Sequence, residues 1–312
     1  MQFVAALSRR LSGGLGRRGS ALWFCALPAA IGAFALALRL HGLGDKPFWL
    51  DEITSLYRAT KSLPDLARDA VHNRHYPSYF ILLWLVARLG DSQFLLRLPS
   101  ALCGALAAAL AAVIGRKAAG PKSGAAAGLL MALSPFEVQF GQEARSYTLT
   151  SALILIALLG LLTLARAPAA AALPWRQEGT PRGAWLAYGL GTAAALSVLN
   201  VAIAWLAVAN IAAIAIAWRA GPSTGSGGWR AFLRRWGLTQ AAVLALWAPS
   251  LILVLLFSKS SLANGADWAP AESLRAIWTT LAPVYLLRQS DFIVFNLAPA
   301  AVPGLSAAVA AL

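Results

Sequence analysis

The sequence predicts an all-α polytopic membrane protein, a bundle of about eight transmembrane helices with one large polar segment outside the bilayer. Of its 312 residues, 59% are hydrophobic and 12% are charged. A soluble domain carries roughly 25% charged residues, so a water-soluble fold is excluded. The apolar residues fall in long runs separated by clusters of Arg and Lys, which is typical of a chain that crosses a membrane repeatedly.

The apolar runs define the order of the predicted elements. Residues 1–21 carry four arginines among Gly and Ser, which indicates a basic cytosolic tail. The first run, at 22–38, is long enough for most of a bilayer crossing. A cleavable signal peptide is the alternative interpretation of this run. Further spans are predicted at 98–114, 123–133, 148–165, 184–199, 201–218, 238–257 and 292–312. The membrane module is thus 22–312, and we expect it to be C-terminally incomplete because its last run has no polar flank.

The largest polar segment is 41–97, which contains six carboxylates and all three histidines of the chain. A segment this polar cannot lie in hydrocarbon, because its unsatisfied groups would each cost several kcal/mol there. We therefore place it at a membrane surface. Its apolar part, at 77–89, is too short to cross the bilayer and predicts an interfacial helix.

The distribution of charge predicts the orientation. The tail and the segments 116–122, 166–182 and 219–235 together contain fourteen of the 26 cationic residues. They contain only one of the twelve acids. The positive-inside rule places these segments in the cytosol. Three polar segments then share the outer face, which suggests one site built from 41–97, 134–147 and 258–291. The net charge of +14 does not indicate nucleic-acid binding, because the charges lie between apolar spans and form no basic face.

Asp51 and Glu52 are the first catalytic candidates. Adjacent side chains on a helix point apart, so one of the pair would face a substrate while the other holds the loop. A carboxylate at a lipid–water boundary can have a raised pKa and act as a general base. The alternative is that Asp51 caps a helix that begins near Ile53. The acids would then form surface ion pairs with Lys46, Arg58 and Arg68, which add little to stability.

A second group of candidates lies at the start of a span, where Gln142, Glu143, Arg145 and Tyr147 follow one another closely. Ionisable groups at that depth are functional candidates by default. The alternative is that Arg145 extends toward the interface and pairs with Glu143.

Asp69, His72 and His75 could form a metal site only if the segment is helical, because their spacing would then bring them together. Pro77 ends the helical pattern, and three ligands rarely share one helix face over six residues. We therefore expect no metal ligands here, and His75 is better suited to donate a hydrogen bond.

These motifs together resemble the GT-C membrane glycosyltransferases that use polyprenyl-phosphate sugars. This superfamily includes the protein O-mannosyltransferases of glycosyltransferase family 39 and the bacterial transferases that add aminoarabinose or galacturonic acid to lipopolysaccharide. The resemblance covers most of the chain, and its carriers are FWLDE at 48–52, HYPSY at 75–79, RLPSAL at 97–102, SP at 134–135 and QEARSY at 142–147. One departure is Tyr76-Pro77, where many members have two prolines.

The resemblance implies an inverting glycosyltransferase in the bacterial inner membrane, with its active site facing the periplasm. Asp51 would be the base, with Glu52 beside it, and the donor would be a polyprenyl-phosphate sugar. Phosphate is already a good leaving group, so neither a general acid nor a metal cofactor is expected. The acceptor would be a hydroxyl of a glycan, lipid or protein. Substrate contacts are expected from Lys46, His75, Tyr76, Glu143, Arg145 and Tyr147.

Two other classes of function are alternatives to a glycosyltransferase. A transporter or flippase for a lipid-linked sugar would need ionisable residues or broken helices near the middle of the membrane. A non-catalytic membrane scaffold would tolerate replacement of Asp51.

Overall fold

A computed structural model describes residues 26–166, 182–220 and 229–258 of this chain. Within these ranges the regular secondary structure is entirely helical, which confirms the predicted all-α class. The predicted tail at 1–21, the span at 292–312 and all but the first residue of the loop at 258–291 lie outside the described residues.

The described helices include the predicted apolar elements in order, together with further helices in the polar segments. They are α1 Ala26–Leu40, α2 Leu50–Ala59, α3 Leu63–His72, α4 Ser78–Ala87, α5 Gln93–Ala119, α6 Pro121–Leu133, α7 Pro135–Gly141, α8 Tyr147–Arg166, α9 Arg182–Val198, α10 Ile203–Ala220 and α11 Trp229–Phe257. Of these, α2, α3 and α7 are the further helices in the polar segments. A short 3₁₀ turn, Asn200–Ala202, joins α9 to α10.

Four of the described helices are long and apolar enough to cross a membrane: α5, α8, α10 with its preceding turn, and α11. These four helices indicate a membrane protein. The helices α1 and α9 form where spans were predicted but are shorter in the described ranges. With 13 residues, α6 is about 20 Å long, less than the ~30 Å hydrocarbon core. The count of about eight spans stays a prediction.

The boundary between the polar segment and its following helix differs from the prediction. The helix α5 begins at Gln93 rather than near residue 98, and the Ser92 hydroxyl accepts a hydrogen bond from the Leu95 N–H at 3.2 Å. Arg97 therefore lies inside α5 and not in the loop. An apolar run does not mark the start of this helix, because its first residues include polar side chains.

The polar segment forms three short helices, α2 to α4, packed over an apolar cluster. The predicted apolar helix at 77–89 is α4, Ser78–Ala87. The cluster unites all three helices with the start of α5 and the loop before α8, through Ala59, Leu66, Ala70, Tyr79, Phe80, Leu83, Leu96 and Ala144. The three helices thus form a folded layer and not an extended loop.

A buried arginine joins α1 to the helices behind the second polar segment. Arg39 is fully buried, and its guanidinium donates to the carbonyls of Met131 and Ala132, each at 3.3 Å, at the C-terminal end of α6. A Cβ on Gly104 would lie 2.5 Å from Arg39 Nε, and one on Gly141 would lie 2.8 Å from Arg39 Cδ. The two glycines therefore provide the space for this cation, which holds the corner between α6 and α7.

The helices α8 and α9 approach closely at Gly160. A Cβ at this position would lie 2.5 Å from the carbonyl oxygen of Ala184 and 2.7 Å from the backbone nitrogen of Tyr188. Both contacts are with backbone atoms, so a methyl group can be accommodated only if the helices separate. Small residues at such contacts let transmembrane helices pack tightly.

Replacing Gly160 with Ala is therefore expected to destabilise the protein by about 1–3 kcal/mol. The matched control is Gly237→Ala in α11, where a Cβ would meet no described atom within 4 Å. This change is expected to be neutral or stabilising by about 0.5–1 kcal/mol, since Ala has the higher helix propensity. Thermal unfolding in detergent measures both, and equal melting temperatures for the two variants would contradict the close α8–α9 contact.

Candidate functional site

The two predicted outer segments, 41–97 and 134–147, meet in the structure. The Gln142 side-chain amide donates to the His41 carbonyl at 2.7 Å. The Ser100 hydroxyl of α5 donates to the Arg145 carbonyl at 3.0 Å, which fixes the backbone just before α8. The third predicted segment, 258–291, lies outside the described residues apart from its first position.

The side chains of Asp51 and Glu52 point apart, as their spacing on a helix predicts. Helix α2 begins at Leu50 with Trp49 as its N-cap residue, so Asp51 lies inside the first turn. The alternative in which Asp51 caps a helix near Ile53 is therefore wrong. Glu52 is fully buried, whereas the Asp51 side chain is 42% exposed.

Glu52 is held by the guanidinium of Arg97. Both carboxylate oxygens of Glu52 accept hydrogen bonds from Arg97, from Nε and Nη2, at 2.8 Å each. Oε1 also accepts the Ala144 N–H at 2.8 Å, and Oε2 accepts the Trp49 N–H at 3.3 Å. A buried carboxylate needs such partners, because an unpaired charge is strongly unfavourable away from water. Glu52 thus ties α2 to α5 and to the loop before α8.

Arg97 also organises the chain before α2. Its Nη1 donates to the carbonyls of Leu43 at 3.0 Å and Lys46 at 2.9 Å, and its Nη2 donates to that of Pro47 at 3.2 Å. Its guanidinium lies 4.9 Å from the centre of the Phe48 ring. One planar cation therefore fixes both the approach to α2 and its buried acid.

Arg145 lies against the exposed acid. Its Nη2 is 3.4 Å from Asp51 Oδ2 and 3.3 Å from the Tyr147 hydroxyl, and its Nη1 is 3.3 Å from the Ser55 hydroxyl. Its Nε is buried without a hydrogen-bond partner among the described residues. The alternative pairing of Arg145 with Glu143 is not the arrangement found. A carboxylate exposed to solvent and a guanidinium with an unused donor thus lie side by side.

His75 lies near this pair. Its Nδ1 is buried and has no hydrogen-bond partner in the described part of the chain, and its ring packs edge-on against Phe80. Burial lowers the pKa of His75, and the nearby positive charges of Arg58 and Arg145 lower it further. At neutral pH the imidazole is therefore neutral, able to donate from one nitrogen and to accept at the other.

Glu143, two residues before Arg145, is 9% exposed. Its Oε1 accepts a hydrogen bond from the Gln139 amide at 3.1 Å, while Oε2 has no partner among the described residues. Burial, and to a lesser extent the charge of Glu52, raises the pKa of Glu143 to about 7 against the opposing effects of Gln139, Arg145 and Arg97.

This raised pKa predicts that the folded protein loses stability as the pH rises from about 4.5 to 7. In that window the folded state holds a proton on Glu143 that the unfolded chain has released. The slope due to this one group approaches about 1.4 kcal/mol per pH unit. Glu143→Gln should remove this part of the pH dependence, as measured by thermal unfolding in detergent at several pH values. Parallel profiles for the variant and the wild type would contradict the prediction.

The other predicted contacts are placed differently. The Lys46 carbonyl accepts a hydrogen bond from Arg97, and Tyr147 lies on Arg145. Tyr76 is buried in the apolar cluster of α9 and α11, edge-on to Trp247 with ring centres 6.5 Å apart. Its role in substrate binding stays a prediction.

Asp69, His72 and His75, the possible metal ligands in the sequence, do not come together as a set. Asp69 accepts from Arg58 at 2.7 Å and from Lys61 at 2.9 Å, and His72 is exposed. Across 26–166, 182–220 and 229–258, no three His, Cys, Asp or Glu side chains are grouped as metal ligands.

The outer face of α2 is apolar. Leu50, Ile53 and Tyr57 are each more than half exposed and recur at the spacing of one helix face. This stripe lies next to Asp51, so an apolar surface adjoins the exposed acid. The structure therefore presents an exposed carboxylate and an apolar surface on α2, with the Arg145 guanidinium beside the carboxylate.

The sequence does not predict the contacts that several residues make in this site. The sequence presents Arg97 only as part of a motif and does not predict the contacts of Ser55, Ser100 and Gln142. The one available signal was that Arg97 stands in an otherwise apolar helix turn, which is costly unless the charge is paired.

Comparisons with known proteins add no relative. Neither the family models nor the curated proteins nor the solved structures yield a match to this chain. The site is therefore interpreted from its own geometry and chemistry.

Proposed function

We propose that this protein is a polytopic membrane glycosyltransferase that moves a sugar from a polyprenyl-phosphate donor to an acceptor hydroxyl. The observation that carries the proposal is the exposed Asp51 carboxylate, 3.4 Å from the Arg145 guanidinium, on a helix fixed by the buried Glu52–Arg97 pair. About eight spans, a site on the periplasmic face and location in the bacterial inner membrane belong to the same proposal.

The reaction assigns separate tasks to the two groups. Asp51 takes the proton of the acceptor hydroxyl, whose oxygen forms a bond to the anomeric carbon of the sugar. The bond from that carbon to the phosphate oxygen breaks, and its electron pair leaves with the polyprenyl phosphate. Arg145 stabilises the charge that develops on the phosphate, since a guanidinium can bind it with two hydrogen bonds. Attack from the face opposite the leaving group inverts the anomeric centre.

The surroundings of the pair support a lipid-linked substrate. The exposed apolar stripe of α2, with Leu50 and Ile53 next to Asp51, suits contact with lipid at a membrane surface. His75 and Glu143 remain candidates for contacts to the sugar or the acceptor. Glu52, with both oxygens engaged by Arg97, is better suited to position α2 than to accept a proton.

The test is transfer of radiolabel from polyprenyl-phosphate sugars into membranes that contain or lack this protein. We expect label to enter an acceptor only when the protein is present, and to do so equally in EDTA and with added Mg²⁺ or Mn²⁺. Transfer that needs an added divalent cation would overturn the metal-independent part of the proposal. No label transfer under any condition would overturn the assignment as a glycosyltransferase.

A further inference from the structure

The loop that carries His75 contains an unfavourable backbone conformation. Arg74 has φ of +60°, in the left-handed region that side chains other than Gly and Asn rarely adopt. The chain here ends α3 in a Schellman motif, with the Arg74 N–H bonded to Val71 O at 3.0 Å and the His75 N–H bonded to Ala70 O at 2.9 Å. This motif normally has Gly where the chain has Arg74.

A residue distant in sequence contacts this loop. The Asn200 side-chain amide donates to the Arg74 carbonyl at 2.9 Å, from the turn between α9 and α10. The same two regions also meet through apolar contacts, since Val71 and Tyr76 share a cluster with Leu196 and Ala202. The α9–α10 turn therefore lies against the end of α3, and Asn200 is exposed at its surface.

The residue after Arg74 is His75, which lies near the proposed site. His75 is half-buried, its Nδ1 atom is buried with no partner among the described residues, and Asp51 and Arg145 are near enough for their charges to act on it. The direction in which the chain leaves Arg74 sets where the imidazole lies. A change in φ at Arg74 would therefore move His75 relative to the Asp51–Arg145 pair.

We propose that Asn200 is a positioning residue that acts through Arg74 to hold His75 beside Asp51 and Arg145. This inference rests on the proposed transfer reaction and extends its site to the turn between α9 and α10. A strained residue that is held by a long-range hydrogen bond next to a reactive group is typical of functional sites.

Backbone strain at residue 74 allows a specific rescue test. Asn200→Ala should lower kcat by about threefold to tenfold, the range expected for one net hydrogen bond. In an Arg74→Gly background the same change should have no effect, because glycine adopts φ of +60° without strain. In the matched Arg74→Ala background, which also lacks the guanidinium, the loss should persist.

A second readout does not depend on activity. Hydrogen exchange over residues 70–77 should be faster in Asn200→Ala than in the wild type, and Arg74→Gly should restore protection. An Asn200→Ala loss of equal size in all three backgrounds, or unchanged exchange, would overturn the positioning role. If Asn200→Ala speeds exchange and Arg74→Gly restores protection, but the protein transfers no sugar, the proposed function is overturned. The Asn200–Arg74 contact would then still be established.

Discussion

Replacing Asp51 with Asn is expected to lower kcat for sugar transfer by about a thousandfold, the middle of the range for loss of a general base. Asparagine keeps the shape of the side chain but cannot accept the proton of the acceptor hydroxyl. Because the Asp51 side chain is 42% exposed and its one ion pair within the described residues is with Arg145 at 3.4 Å, the variant should fold and insert normally. Donor KM should change little, since phosphate binding is assigned to Arg145.

The matched control for this substitution is Asp91→Asn, an exposed carboxylate in the same polar segment. It removes the same charge and should retain wild-type kcat. Activity of Asp51→Asn within a few-fold of the control would remove Asp51 from catalysis. Attention would then move to Glu143, whose pKa is raised to about 7 by burial and suits a general base.

Replacing Arg97 with Met is expected to produce the largest loss of stability, about 3–5 kcal/mol. The substitution leaves the Glu52 carboxylate buried without its bidentate partner and removes three hydrogen bonds to the backbone before α2. The loss should appear as a lower melting temperature in detergent and as reduced amounts of folded protein in membranes.

Two further variants distinguish the effect of breaking the buried Glu52–Arg97 pair from the general effect of removing a cation. Arg68→Met breaks the exposed pair with Asp65 and should change stability by less than about 1 kcal/mol. The double variant Arg97→Met with Glu52→Leu should recover part of the lost stability, because no charge then remains buried and unpaired. If Arg97→Met is no less stable than Arg68→Met, Arg97 does not have the structural role described here.

The sequence predicted the features that depend on local pattern. Apolar runs located the long helices and α4 but not α2, α3 and α7, which lie in the polar segments. The spacing of Asp51 and Glu52 on one helix predicted that their side chains would point apart. Alternation of charge along the chain suggested that 41–97 and 134–147 share a face, and the contact between Gln142 and His41 brings them together.

Features that depend on distant partners could not be predicted in this way. Arg97 reaches Glu52 across 45 residues, Arg39 reaches Ala132 across 93, and Asn200 reaches Arg74 across 126. No local periodicity encodes such pairs. The raised pKa of Glu143 likewise follows mainly from burial, which depends on the packed helices around it and not on the neighbouring sequence.

The most direct test of the central claim uses purified protein in proteoliposomes with a radiolabelled polyprenyl-phosphate sugar and a membrane extract as acceptor. A transferase should release one polyprenyl phosphate for each labelled sugar that becomes bound to the acceptor. We expect this stoichiometry with the wild type and its loss with Asp51→Asn. Movement of intact donor between leaflets without release of polyprenyl phosphate would contradict the proposal and identify a transporter, and the absence of both would favour a scaffold.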